Sequence, residues 1–116
     1  MALPGGLTAI VGTYLLFAGF LSLTGHIAAR NVLGDVPAKR ALLVGPGPAA
    51  ISFLLQQYYP LFVALVAIVA DLLVIQIVYR LKWRTAGFVT AVHVVVSVIG
   101  GTIVGGILFL ASTAPA

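Results

Sequence analysis

The hydrophobic residues of this chain fall into four long segments that short polar loops separate. The segments cover residues 7–28, 41–58, 61–78 and 86–111. Each is close to the 20 or so apolar residues that an α-helix needs to cross a bilayer. Apolar side chains cover every face of these segments and do not alternate with polar ones, which favours helices over a transmembrane barrel. The pattern predicts an all-α integral membrane protein, a single-domain four-helix bundle made of two antiparallel transmembrane hairpins.

Composition agrees with this class of protein. Hydrophobic residues make up 62% of the chain and charged residues 7%, whereas soluble domains carry about 25% charged residues. The first segment has no Lys or Arg before it and exceeds the apolar core of a signal peptide, so we expect it to remain attached. There is no cysteine, which excludes disulfides and thiolate chemistry.

The basic residues predict the orientation in the membrane. All six lie in the first and third loops: Arg30, Lys39, Arg40, Arg80, Lys82 and Arg84. Four crossings place both loops on one side, and the positive-inside rule makes that side cytoplasmic. We therefore expect a multi-pass protein of the plasma membrane with both termini extracellular. The same side chains could also hold anionic lipid headgroups. They form no basic face on a folded surface, so we expect no nucleic-acid partner.

Asp71 is the residue with the largest free-energy cost of insertion into the membrane, because it lies near the middle of the third segment. A central Asp carries a penalty of about 2.5 to 3.5 kcal/mol on insertion scales. Asp71 lies nine residues before Arg80, and His93 lies nine residues after Arg84. Both residues therefore lie about 13 Å from the same loop at 1.5 Å per residue. A hydrogen bond or ion pair between Asp71 and His93 is available if both faces turn inward.

Two interpretations of this predicted pair remain open. It could be a proton or cation relay, with His26, Gln76 and Thr90 lining a route to the cytoplasm. It could instead be a buried polar clasp that fixes the helices against one another, or a contact between subunits. The second interpretation is favoured because the other half of the bundle offers few polar side chains for an exit.

Small residues mark two predicted packing faces. In the last segment His93, Ser97, Gly101 and Gly105 recur every four residues, and in the first segment Gly12 and Gly19 belong to a seven-residue repeat. Such stripes let another helix approach closely. They predict contacts within the subunit or its assembly.

The second segment contains a predicted helix break. Pro46 and Pro48, with Gly45 and Gly47, interrupt it in the half that follows the first basic loop. Proline lacks a backbone donor and clashes with the preceding turn, so the helix must kink or break. A simple bend is favoured over a site that exposes backbone groups to an ion.

Enzyme chemistry finds no support in the sequence. The chain has two acidic residues and two histidines, and the histidines lie in different segments. This set provides no metalloprotease motif, phosphate-binding loop, dinucleotide fingerprint or pair of catalytic carboxylates. We predict no enzyme, no cofactor and no metal site.

The segment from Arg30 to Gln57, with its loop Asn-Val-Leu-Gly-Asp-Val-Pro-Ala-Lys-Arg, and the stretch His-Val-Val-Val-Ser-Val from His93 resemble a known group. These are small four-span membrane proteins of unknown function from halophilic archaea. The resemblance covers most of the chain and implies an archaeal plasma membrane. It brings no activity, cofactor or ligand.

The sequence predicts a small accessory or structural subunit. Its partners would be the lipid bilayer and other membrane subunits, or further copies of the chain in a homo-oligomer. The alternative is a minimal proton- or ion-conducting protein that uses Asp71 and His93.

Overall fold

The computed structural model describes residues 5–115, and in that range it contains helices and no strand. There are five helices: α1 (Gly5–Leu33), α2 (Ala38–Val44), α3 (Pro46–Leu54), α4 (Pro60–Tyr79) and α5 (Trp83–Thr113). Three of them, α1, α4 and α5, are long and apolar enough to cross a membrane. They contain the predicted segments 7–28, 61–78 and 86–111. The prediction of an all-helical protein is confirmed for the described residues, and three of its helices have the length and apolar composition that a membrane crossing needs.

The second predicted segment, residues 41–58, is divided at Gly45 between α2 and α3. Pro46 and Pro48 cannot donate backbone hydrogen bonds, so the helical ladder is interrupted there. Gly45 itself keeps right-handed helical angles (φ −62°, ψ −44°), and the N–H of Ala49 donates to Gly45 O at 3.3 Å. The chain therefore bends at this point without unwinding.

Contacts between the helices establish their directions. The Tyr14 hydroxyl, in the first half of α1, donates to Pro46 O at 3.0 Å, and the Tyr14 ring packs against Phe53 at the end of α3, with 5.6 Å between centroids. The α2–α3 segment therefore runs antiparallel to α1. Tyr79, which ends α4, belongs to the same buried cluster as Ala28 and Ala29 near the end of α1, so α4 runs parallel to α1. The α4–α5 turn then sends α5 back in the opposite direction.

The helices form a ring around a central axis. Going around it, α1 contacts α3, α3 contacts α4, α4 contacts α5, and α5 returns to α1, while α2 packs on α1 and α4. Within residues 5–115 no direct backbone approach joins α1 to α4 or α3 to α5. These two pairs therefore face each other across the middle of the molecule.

The buried core lies at one end of this ring. Its cluster consists of Ala28, Ala29, Val44, Ile75, Tyr79 and Val89. We call this end, which carries the α1–α2 and α4–α5 loops with their basic residues, the basic end, and the other the far end. Toward the far end the described side chains of α1 before Ala18, α4 before Asp71 and α5 after His93 include none that is buried. Tight packing is thus confined to the half near the basic end.

A tight turn sets the register of α4 against α5. Arg80 adopts a left-handed conformation (φ 53°) at the end of α4, and the N–H of Leu81 donates to Gln76 O at 3.1 Å. This pattern of bonds closes the helix as a Schellman motif does. Because α5 begins three residues after Arg80, residues equally far from the turn on the two helices lie at the same level.

Candidate functional site

Asp71 and His93 meet inside the molecule. His93 Nδ1 lies 2.5 Å from Asp71 Oδ2, and the side chains of His93 and Asp71 are only 3% and 6% exposed. The α4–α5 turn brings them level, since each is nine residues from a basic residue of that turn. Asp71, the residue with the largest expected cost of membrane insertion, therefore has a direct partner on the neighbouring helix.

His93 also contacts α1 through its second nitrogen. Nε2 lies 3.0 Å from Leu21 O and 3.0 Å from Thr24 Oγ1. The Thr24 hydroxyl donates to Leu21 O at 3.2 Å and lies 2.9 Å from the Ser97 hydroxyl. Asp71, His93, Thr24 and Ser97 thus form one polar cluster that joins α1, α4 and α5.

The hydrogen-bond geometry indicates the charge of the cluster. A carbonyl oxygen can only accept, so Nε2 beside Leu21 O carries a hydrogen. The second proton then lies between His93 Nδ1 and Asp71 Oδ2, as an imidazolium–carboxylate pair or as a neutral histidine that accepts from a carboxylic acid. In both forms the pair has no net charge. This explains how a carboxyl group tolerates an apolar surrounding, since burying an isolated charge costs far more than burying a paired one.

One acceptor in the cluster remains unused. Asp71 Oδ1 is buried and accepts no hydrogen bond from any of residues 5–115. A buried acceptor without a partner costs about 1 to 3 kcal/mol, so its presence calls for an explanation.

The polar cluster borders a central cavity of about 420 Å³. All four sides of the ring line it: Phe17, Phe20 and Leu21 of α1, Pro48 and Ser52 of α3, Ala64, Ala67, Ile68 and Asp71 of α4, and His93, Val94, Ser97, Val98 and Gly101 of α5. These residues lie at the level of Asp71 or farther from the basic end. On the basic side Ile75, Val44 and Val89 are fully buried. The cavity is therefore closed toward the basic end and extends toward the far end.

The residues predicted to line a relay do not join the polar cluster through hydrogen bonds in the described part of the chain. Thr90 is buried and donates to Ala86 O in its own helix at 2.8 Å. His26 Nδ1 is buried without a hydrogen-bond partner, and Gln76 is half-buried. None of the hydrogen bonds between described residues connects these three to Asp71 or His93.

The predicted packing glycines differ in their surroundings. A Cβ added to Gly12, Gly19 or Gly105 would meet no atom of the described chain within 4 Å, and at Gly101 it would lie 4.0 Å from the Phe20 ring. Ser97 contributes to the polar cluster. Gly12, Gly19 and Gly105 therefore make no close helix contact with other elements among residues 5–115.

Other small residues make the closest helix contacts. A Cβ on Gly45 would lie 2.1 Å from Ala18 O, and one on Gly25 would lie 3.5 Å from His93 Nε2. On α1 the buried residues Ala18, Ser22, Gly25 and Ala29 are spaced by four, three and four. This spacing is the sequence signal for the inward face of α1, whereas the strict repeat of seven through Gly12 and Gly19 marks a different face.

The basic residues are all exposed at the basic end: Arg30, Lys39, Arg40, Arg80, Lys82 and Arg84. Within the described part of the chain, no three His, Cys, Asp or Glu side chains come together as metal ligands would. The chemistry of the interior thus resides in the polar cluster and the cavity beside it.

Comparison with known proteins gives a family and no activity. No curated protein and no solved structure matches this chain. The chain belongs to DUF7473, a family of unknown function whose family model matches residues 4–115.

Proposed function

We propose that this protein crosses the plasma membrane four times, with the basic end in the cytoplasm. The fourth crossing is the bent α2–α3 segment, residues 38–54, which would reach about 25 Å at 1.5 Å per residue. Its antiparallel course beside α1 supports this proposal. The exposed basic side chains at one end agree with the positive-inside rule. The first residues of α1 and the last of α5 then face outside, in what the sequence resemblance suggests is an archaeal membrane.

Within that membrane, the protein acts as a small accessory or structural subunit of an assembly. The observation that carries this proposal is the set of glycines with open surroundings, Gly12, Gly19 and Gly105. A lipid-facing helix has no need of glycine, which weakens helices by about 0.5 to 1 kcal/mol relative to alanine. Glycine at these positions would let a helix of another chain approach closely. That chain would be a partner subunit or a second copy of this protein.

The polar cluster supports the structural function by fixing α1, α4 and α5 relative to one another. Hydrogen bonds between membrane helices contribute about 0.6 kcal/mol each, up to about 1.7. A cluster joining three helices can therefore hold the faces that carry the glycines in one arrangement.

The replacement Gly105→Leu tests the assembly. A Cβ at position 105 would meet no atom of the described chain within 4 Å, so the replacement should leave the fold intact and dissociate the assembly in mild detergent, as measured by light scattering after size-exclusion chromatography. Gly87→Leu is the matched control, because Gly87 is also helical and also open, but it lies in the first turn of α5. An assembly that persists with Gly105→Leu would remove this face of α5 from the interface.

Proton or ion conduction is the second candidate function, and the cavity that reaches Asp71 from the far end favours it. The buried core between Asp71 and the basic end opposes it, because conduction would require that core to open. A pH-dependent flux into liposomes that contain the purified protein, lost with Asp71→Asn, would establish conduction. No flux from the native protein would exclude it.

A further inference from the structure

The central cavity has the size of a small-molecule site. Ligand sites in proteins commonly enclose about 300 to 1,000 Å³, and this cavity measures about 420 Å³. It is bounded by four helices and closed toward the basic end, so a ligand would enter from the far half of the molecule.

The walls of the cavity suit an aromatic body. Phe17 and Phe20 line it from α1, while the small side chains of Ala64 and Ala67 leave room on α4, the helix opposite. Apart from the polar cluster at its inner end, Ser52 supplies the other hydroxyl, which donates to Pro48 O at 3.0 Å. Aromatic rings pack favourably against phenylalanine in offset or edge-to-face arrangements.

Among the described residues, the inner end of the cavity is lined by the Asp71 carboxyl group and has no unused donor. Both ring nitrogens of His93 face acceptors, and the Ser97 hydroxyl is engaged with Thr24. The Asp71 carboxyl group retains one oxygen without a partner. A complementary ligand therefore brings a donor.

The charge of the cluster indicates which donor. Since the Asp71–His93 pair has no net charge, a cation in the cavity would meet no opposite charge to offset the loss of its hydration. A neutral hydroxyl can donate to Asp71 at a much smaller desolvation cost. In a molecule with a hydroxyl on an aromatic ring, the ring can pack against the apolar walls while the hydroxyl donates at the inner end of the cavity.

We propose that the central cavity is a binding site for a neutral aromatic alcohol of the phenol class, whose ring lies between Phe20 and the small residues of α4 and whose hydroxyl donates to the Asp71 carboxyl group. This site goes beyond the proposed structural function. Its occupation would place a hydrogen-bond donor beside the Asp71 carboxyl group and fill the half of the ring that the side chains leave open.

The two histidines of the chain provide an internal control for the test. The full-length protein, labelled with ¹⁵N-histidine, is titrated in mild detergent with 1-naphthol and followed by NMR of the imidazole signals. His93 lines the cavity and His26 does not. We expect 1-naphthol to shift the His93 signals to saturation and leave those of His26 in place. The methyl ether, 1-methoxynaphthalene, cannot donate and should bind about tenfold more weakly, the equivalent of one hydrogen bond.

A matched pair of variants locates the site. Ala67→Phe fills the cavity and should abolish the shift at His93, whereas Ala91→Phe, on the exposed side of α5, should preserve it. Retained binding in Ala67→Phe would overturn the proposal. Equal binding of the alcohol and its ether, or equal shifts at His26 and His93, would also overturn it and show partition into the detergent. Tighter binding of benzyltrimethylammonium than of 1-naphthol would overturn the choice of a neutral ligand.

Discussion

At the scale of single residues, His93 determines how the interior is connected. Its imidazole donates from Nε2 toward α1 and shares a proton with Asp71 of α4, while its own backbone belongs to α5. Removal of the His93 side chain would leave Asp71 without its partner among the described residues. It would also remove the contacts of Nε2 with Leu21 O and the Thr24 hydroxyl. Three helices are therefore held by one ring, and the buried acid depends on it.

We expect His93→Ala to lower the free energy of unfolding by about 2 kcal/mol, because two interhelical contacts are lost and a buried acid is left without a partner. Unfolding in mixed micelles, followed by circular dichroism, measures this change. His26→Ala is the matched control, since Nδ1 of His26 has no hydrogen-bond partner among the described residues, and it should change stability by less than about 0.5 kcal/mol. Equal effects of the two substitutions would show that the cluster does not hold the helices.

The sequence allows part of this site to be predicted. The Asp71–His93 contact follows from equal spacing to a short turn, because an antiparallel hairpin fixes the level of each residue. The share of Thr24 in the cluster depends on the rotation of α1, which a helix with apolar residues on all faces does not reveal. The unused oxygen of Asp71 and the cavity beside it depend on side-chain volumes across four helices, and no local pattern encodes those.

At the scale of secondary structure elements, the bend between α2 and α3 allows the closest approach of two backbones. Gly45 lies against Ala18 and Ser22 so tightly that a methyl group has no space. Pro46 and Pro48 are readable in the sequence as an interruption, since proline always removes a donor. The contact of Gly45 with α1 depends on tertiary packing, so the local sequence does not predict it. The only sequence signal is on α1, where the spacing of Ala18, Ser22, Gly25 and Ala29 indicates the face that Gly45 contacts.

We expect Gly45→Ala to destabilise the protein by about 1 to 3 kcal/mol, as overpacking of a close contact does. At an open helical position the same change is stabilising by about 0.5 to 1 kcal/mol. Gly87→Ala provides that comparison, because a Cβ at Gly87 meets nothing within 4 Å. Thermal unfolding of both variants in the same detergent shows whether each substitution raises or lowers stability. Stabilisation by both substitutions would contradict the tight contact at Gly45.

At the scale of the whole molecule, the two halves of the ring differ in how tightly their side chains pack. The half near the basic end contains the buried cluster and the polar pair. The far half contains the cavity, the open glycines and large exposed apolar side chains such as Ile107 and Leu110. In a membrane these side chains would face lipid or another chain, and we propose that the far half accommodates partners and ligands.

We propose that the bent α2–α3 segment crosses the membrane and places the two ends of the ring on opposite sides. The chain has no cysteine, so single cysteines introduced as Asp35→Cys in the α1–α2 loop and Gln57→Cys between α3 and α4 report directly on sidedness. Both positions are exposed. On intact cells, a maleimide that cannot cross the membrane should label Gln57→Cys at once and Asp35→Cys only after permeabilisation. Labelling of both positions from the same side would contradict the fourth crossing.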